Sequence, residues 1–203
     1  MRIANPPRIN RSVQRAWFIV RTIEDHSEGS HSMIFEDTIR IDAAAQAVWD
    51  VLLDVNAIAA CMPGIERVVQ VDERTFDGAI LASVGPISGT FSFRAQILDS
   101  TPPRSMTAEV VGTDSVTKST IRADTAFTLD PVDGTEPNAF IVAQGLVGGS
   151  TDLSYRANVQ IQGRLAVLGD MVLRATAVLI LEEFAKRLRQ RVASNTVGSS
   201  PST

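Results

Sequence analysis

Side chains able to do chemistry are few in this chain. Its 203 residues include two histidines, His26 and His31, one cysteine, Cys61, and one tyrosine, Tyr155. Both histidines fall in His26-Ser27-Glu28-Gly29-Ser30-His31-Ser32, ahead of the first segment with a regular period, so the folded body is expected to hold no imidazole. Imidazole is the usual general base near neutral pH and a common metal ligand. Without one, Cys61 lacks the partner that activates a catalytic thiol and reads as a small packed residue near a helix end. Asp170 sits in an apolar run, where burial would raise its pKa and suit it to acid-base work. Gly169-Asp170 suits an exposed turn at a cavity mouth better. No catalytic residue, metal or cofactor is expected.

The remaining candidates are apolar. Phe91 and Phe93 could stack on a ligand ring, and their strict alternation makes them core residues as well. Tyr155 would point inward beside Leu153 and Ala157, where a ligand carbonyl could accept from its hydroxyl. Gly85-Pro86 and Gly89 are turn chemistry; no helix follows to make a phosphate loop.

Alternation of apolar and polar residues defines the elements that must position these groups. In residues 87–97, Ile87, Gly89, Phe91, Phe93, Ala95 and Ile97 fall on one side and Ser88, Thr90, Ser92, Arg94 and Gln96 on the other. A period of two with one apolar face marks an antiparallel sheet covering a core on one side. It recurs at Phe76/Gly78/Ile80/Ala82/Val84, Met106/Ala108/Val110, Ile121/Ala123/Thr125/Phe127/Leu129 and Leu153/Tyr155/Ala157/Val159/Ile161.

The spacing predicts a strand over 33–41, then a helix over 43–52 with Asp42 as N-cap. A short helix over 56–61 ends at Met62-Pro63-Gly64. Strands follow at 65–71, 75–84, 87–98, 104–113, 117–130 and 151–162, with an insertion at 131–150 that holds a short strand at Phe140-Ile141-Val142-Ala143. From Gly163 the period turns helical and runs to about Val192. Leu165, Leu168, Val172, Ala175 and Leu179 form one stripe, and Leu173, Ala177, Ile180, Leu181, Phe184 and Leu188 a second, so the helix is buried against more than one surface. This is an α+β helix-grip order, a curved antiparallel sheet of about seven strands around a long C-terminal helix, with two short helices after the first strand.

Composition places one globular domain at 33–193, an N-terminal extension at 1–32 and a Ser/Thr-rich tail at 194–203. Met33, directly before the first strand, is an alternative start of translation, and residues 1–32 are expected to be dispensable for folding. The extension carries five arginines against Glu24, Asp25 and Glu28, a net of +2; with a total of -4, the rest carries -6. An acidic body without a basic cluster argues against nucleic acid. No run reaches the ~20 mostly uncharged apolar residues needed to cross a bilayer, and the run Ala16-Trp17-Phe18-Ile19-Val20 is too short for a secretory signal. A lone cysteine fits a reducing compartment. The expected location is the cytoplasm, with peripheral contact at the inner face of the membrane.

Three segments, in order, carry a resemblance. Val48-Trp49-Asp50-Val51-Leu52-Leu53-Asp54 leads to Ala60-Cys61-Met62-Pro63-Gly64; Val84-Gly85-Pro86-Ile87-Ser88-Gly89-Thr90-Phe91 opens the central hairpin; and Gly163-Arg164-Leu165-Ala166-Val167-Leu168-Gly169 opens the last helix. Over residues 33–192 the chain resembles the carbon monoxide dehydrogenase CoxG family, a branch of the START/Bet v 1-like (SRPBCC) superfamily. The resemblance implies a non-enzymatic accessory protein of molybdenum hydroxylases of that type, linked to membrane attachment and to binding a quinone as electron acceptor. Many members carry a hydrophobic C-terminal anchor; this sequence ends Gly198-Ser199-Ser200-Pro201-Ser202-Thr203.

The implied partners are a hydrophobic small molecule (quinone or lipid), the molybdenum hydroxylase and, transiently, the membrane. The ligand is expected between the concave sheet and the last helix, capped by residues 57–64. Phe91, Phe93, Tyr155, Leu168, Val172 and Ala175 form the expected wall and Met62 the gate. A superfamily enzyme of the cyclase or hydratase type and a docking adaptor with a filled interior are the competing readings.

Overall fold

The computed structural model describes residues 30–84, 87–114, 116, 118–132 and 149–197. His26, residues 17–20, the Gly85-Pro86 turn and the strand expected at 140–143 lie outside the described residues. The order is β1 (Ser30–Ile41), α1 (Ala45–Leu53), α2 (Val55–Cys61), β2 (Ile65–Gln70), β3 (Thr75–Val84), β4 (Ile87–Thr101), β5 (Ser105–Asp114), β6 (Ser119–Pro131), β7 (Thr151–Gln162), a 3-10 helix (Arg164–Leu168) and α3 (Asp170–Val197).

The seven strands form one antiparallel sheet in the order β1-β7-β6-β5-β4-β3-β2. Its two faces follow the alternation in sequence. On β4, Phe91, Phe93, Ala95 and Ile97 turn inward, while Ser92, Arg94 and Gln96 are exposed. The outer face is laced by cross-strand ion pairs. Arg94 donates to both carboxylate oxygens of Asp77 at 2.7 and 2.8 Å, and Arg40 to those of Asp152 at 2.8 and 2.9 Å. These guanidinium donors hold the Asp77 and Asp152 carboxyls below the usual carboxylate range. That polarity keeps the outer face in water and leaves the inner face to the helices.

Asp54 separates the two short helices. It ends α1, and its carboxylate caps α2 by accepting from the backbone N–H of Asn56 at 2.8 Å and of Ala57 at 3.1 Å. Asp42 is not the cap expected for α1. The helix starts two residues later than predicted, Ala44 holds the N-cap position without a side-chain bond, and Asp42 accepts instead from Ser150 Oγ at 3.0 Å. Thr151, buried at the start of β7, donates to Ala43 O at 2.7 Å and fastens the same junction.

Three further expectations are corrected. β1 begins at Ser30, pairing Ser30 with Gln162 and His31 with Ile161, so residues 30–32 belong to the sheet. His31 therefore lies in the folded body, with Nδ1 2.6 Å from Asp170 Oδ1. The final helix is broken rather than continuous. Gly163 and Gly169 take φ values of +84° and +77°, which favour glycine, and bracket a separate 3-10 turn before α3 begins. α3 then runs 28 residues to Val197, about 42 Å at ~1.5 Å per residue, past the end expected at 192.

Two apolar clusters hold the sheet and helices together. In one, Val48, Trp49 and Val51 of α1 and Ala57 and Cys61 of α2 meet Ile39, Ile41, Leu129 and Leu153 of the sheet and Ala185, Leu188 and Val192 of α3. Trp49 and Phe127 pack edge-tilted there, ring centroids 5.9 Å apart. In the other, Met33, Val84, Phe91 and Ile161 meet Leu165 of the 3-10 turn and Leu173 of α3. One helix thus joins both clusters, with Leu173 in one and Ala185 in the other.

Candidate functional site

Between the two clusters the interior is open. A cavity of about 480 Å³ lies under the concave sheet, within the ~300–1,000 Å³ of ordinary small-molecule sites. Strands β2 to β7 supply its walls, Ile58 and Ala59 of α2 and the following Met62 close it, and α3 contributes Leu173, Thr176, Ala177 and Ile180.

Local sequence explains the open volume. Where α3 crosses the gap it presents Ala177 and Thr176 between the larger Leu173 and Ile180. On β3, Gly78 faces Phe93 of β4. A Cβ at Gly78 would stand 2.4 Å from Phe93 Cζ, so glycine is what lets the ring lie flat along the wall. Leu165 is seated by its backbone N–H, which donates to the buried Ser119 Oγ at 3.1 Å.

The lining is almost wholly hydrocarbon. Among the described lining residues Thr176 alone carries a hydroxyl, and that hydroxyl donates to Val172 O at 3.0 Å, within its own helix. Such a surface rewards apolar contact and, among the described lining residues, offers a ligand no ionised group and no free hydroxyl proton, the Thr176 oxygen being left only as an acceptor. Cys61 lies outside the wall, buried in the first cluster, where loss of solvent raises its thiol pKa against the opposing pull of Arg191 and Arg187. Among the described residues no group of three His, Cys, Asp or Glu side chains is placed to hold a metal ion.

Of the seven residues proposed from sequence, Met62, Phe91 and Phe93 come together on the cavity wall. The other four do not line it. Tyr155 packs half-buried against the first cluster, where burial, and then the Asp37 carboxylate, raise its pKa. Leu168 packs on the second cluster from the 3-10 turn. Val172 and Ala175 are exposed on the outer side of α3. The cause is the break at Gly169: the stripe Leu165/Leu168/Val172/Ala175/Leu179 assumes one continuous helix, and a φ of +77° at residue 169 puts its two halves out of phase. The second stripe, with Leu173, Ala177 and Ile180, is the one that faces the cavity. Asp170 is exposed beside His31, in keeping with the turn that Gly169-Asp170 suggests.

Solved structures show the fold class. A conserved protein from Geobacillus kaustophilus superposes with a TM-score of 0.68 at 18% identity, over 80% of this chain and 96% of that one. A START superfamily protein from Mycobacterium smegmatis gives 0.57 at 15%, over 79% and 97%. The Zhui aromatase/cyclase from Streptomyces sp. R1128 gives 0.50 at 16%, over 82% and 94%. The protein has a START-like helix-grip fold. Within that class, residues 38–193 match the CoxG family, described as the G subunit of carbon monoxide dehydrogenase, and the chain belongs to it. Family membership supports an accessory, ligand-binding role in general. No curated protein matches the sequence. Among the described residues no helix is long and apolar enough to cross a membrane.

Proposed function

We propose that this protein is a non-catalytic carrier that holds the hydrocarbon part of a quinone in its cavity and serves a molybdenum hydroxylase of the carbon monoxide dehydrogenase type. The reading places it in the cytoplasm, in passing contact with the membrane that supplies the quinone. The observation that carries it is the open interior of about 480 Å³ with an apolar lining. A docking adaptor with a filled interior has no use for that volume. A cyclase or hydratase needs acids and bases beside its substrate, and the described lining residues include no ionisable side chain. Because the Thr176 hydroxyl donates its proton within its own helix, quinone carbonyls meet no side-chain donor among the described lining residues, whereas a prenyl chain gains the full apolar contact.

Titration with a prenylated quinone and with the same ring lacking its chain tests this. The prenylated compound should bind one per chain and the bare ring at least about a hundredfold more weakly. Equal affinity for the two, or no binding of either, contradicts the proposal.

A further inference from the structure

Three glycines lie within the described strands, and two of them answer to a neighbouring side chain. At Gly78 of β3 a Cβ would stand 2.4 Å from Phe93 Cζ, and at Gly89 of β4 it would stand 2.8 Å from Oδ2 of the buried Asp114. Gly112 of β5 has no such reason. A Cβ there would meet nothing nearer than Phe93 Cβ at 3.8 Å, then Ile121 O and Ser92 O at 3.9 Å, which is ordinary van der Waals contact. Its φ lies outside the left-handed region that favours glycine. The pairing of β5 with β4 and β6 stays in register around it, and the bulge between β4 and β5 falls further along, at Ile97–Asp99. Glycine inside a strand weakens it, and where no bulge uses it, it often marks the close approach of a ligand.

Gly112 lies on the cavity wall. It pairs with Phe93 on one side and Ile121 on the other, both lining residues, and Val110, two residues back on the same strand, is a third. Phe93 does not fill the place, because its ring is turned the other way, over Gly78. The result is a hollow one residue wide. Neighbouring side chains bound it at about 4.8 Å across the strands and at ~6.6 Å along β5, two steps of ~3.3 Å. That is room for a methyl group. A flat ring laid on the wall there would ride over Phe93, Ile121 and Val110 instead of entering.

We infer that Gly112 sets the cavity's preference for a branched hydrocarbon chain, by taking one methyl branch of a prenyl chain against its bare backbone. This rests on the carrier reading above and adds the class of chain that the cavity takes. A straight acyl chain crossing the same wall leaves the hollow empty, and lining atoms without partners lose their dispersion contacts. One such group in an apolar pocket is worth roughly tenfold or more in affinity.

The affinities of phytanol and hexadecanol, measured by displacement of a fluorescent fatty acid from the full chain and from Gly112→Ala, test the assignment. The two alcohols share one backbone and differ in methyl branches, and neither carries a quinone ring. Gly112→Ala puts a methyl group of the protein into the hollow. It should weaken phytanol about tenfold or more and leave hexadecanol within about threefold, with a melting temperature no lower than the parent's. An unchanged ratio of the two affinities, whether both fall together or neither moves, overturns the inference. So does a variant that melts several degrees lower, which makes the glycine structural, and so does a parent that takes up neither alcohol. If the ratio shifts as expected and a prenylated quinone still does not bind, the quinone reading fails while the branch site stands. If the quinone binds and the ratio is unmoved, the branch site alone fails.

Discussion

Ala177→Trp should close the cavity to ligand while leaving the fold in place. Ala177 faces open volume from the middle of α3, so the indole grows into space rather than into packed neighbours. An aromatic side chain carries ~150–250 Å² of surface. Placed against the wall it removes about that much contact from a ligand, which at ~25 cal/mol per Å² is about 4–6 kcal/mol, or roughly a thousandfold or more in affinity. The unfolding free energy should change by less than the ~1–3 kcal/mol typical of overpacking a filled core. The matched control is Ala175→Trp, two residues away on the exposed side of the same helix, which should leave affinity within about threefold. Titration with a prenylated quinone, beside thermal unfolding of both variants, reads out both effects. If Ala177→Trp is folded and binds as the parent does, or if Ala175→Trp blocks binding as well, the placement of the ligand between α3 and the sheet is refuted.

Other expectations follow from individual residues. Gly163→Ala puts a Cβ 2.1 Å from Lys118 O at a φ of +84°, whereas Gly169→Ala, at +77°, meets nothing within 4 Å. The second should cost only the ~1–3 kcal/mol of a backbone conformation (φ +77°, ψ 157°) all but reserved for glycine, and the first distinctly more; chemical denaturation with the order reversed contradicts the packing assigned to Gly163. Cys61→Ala should cost no more than about 0.5–3 kcal/mol and leave binding intact; loss of binding in a folded variant reveals a role for the thiol. Because burial raises the Cys61 pKa, the unfolded chain releases that proton at a lower pH than the folded one, so stability falls as pH rises above the ordinary thiol range. The Cys61→Ala variant should show a shallower alkaline decline, and an equal or steeper one contradicts the cause assigned. A chain beginning at Ser30 should keep its fold. One beginning at Met33 loses the three β1–β7 pairs at residues 30–32 and the His31–Asp170 contact and should melt a few degrees lower; equal melting temperatures show that those residues add nothing.

Alternation made most of the sheet readable in advance, because one polar and one apolar face leave a single way to orient each strand. The bounds of β3 and β7 and the inward set Phe91, Phe93, Ala95 and Ile97 agree with the structure residue for residue. Helical positions were less legible. A wheel drawn from Leu165 to Leu179 has no means of registering the positive φ at Gly169, and that one residue moved Val172 and Ala175 to the outside. The start of β1 was missed because Ser30-His31-Ser32 has the composition of a linker and becomes a strand through pairing with β7, a contact more than a hundred residues away. Asp42 looks like a cap by type but is taken by Ser150, another long-range partner. The cavity's existence was inferable from small residues on a broad apolar helix; its composition required knowing which stripe faces inward.

The most direct measurement of the proposed carrier role is organic extraction and mass spectrometry of what the native protein retains on purification. One long-chain apolar molecule per chain, carrying a quinone ring, and its loss from Ala177→Trp, is the expected result. A protein that comes out empty and takes up no prenylated quinone when offered it contradicts the account.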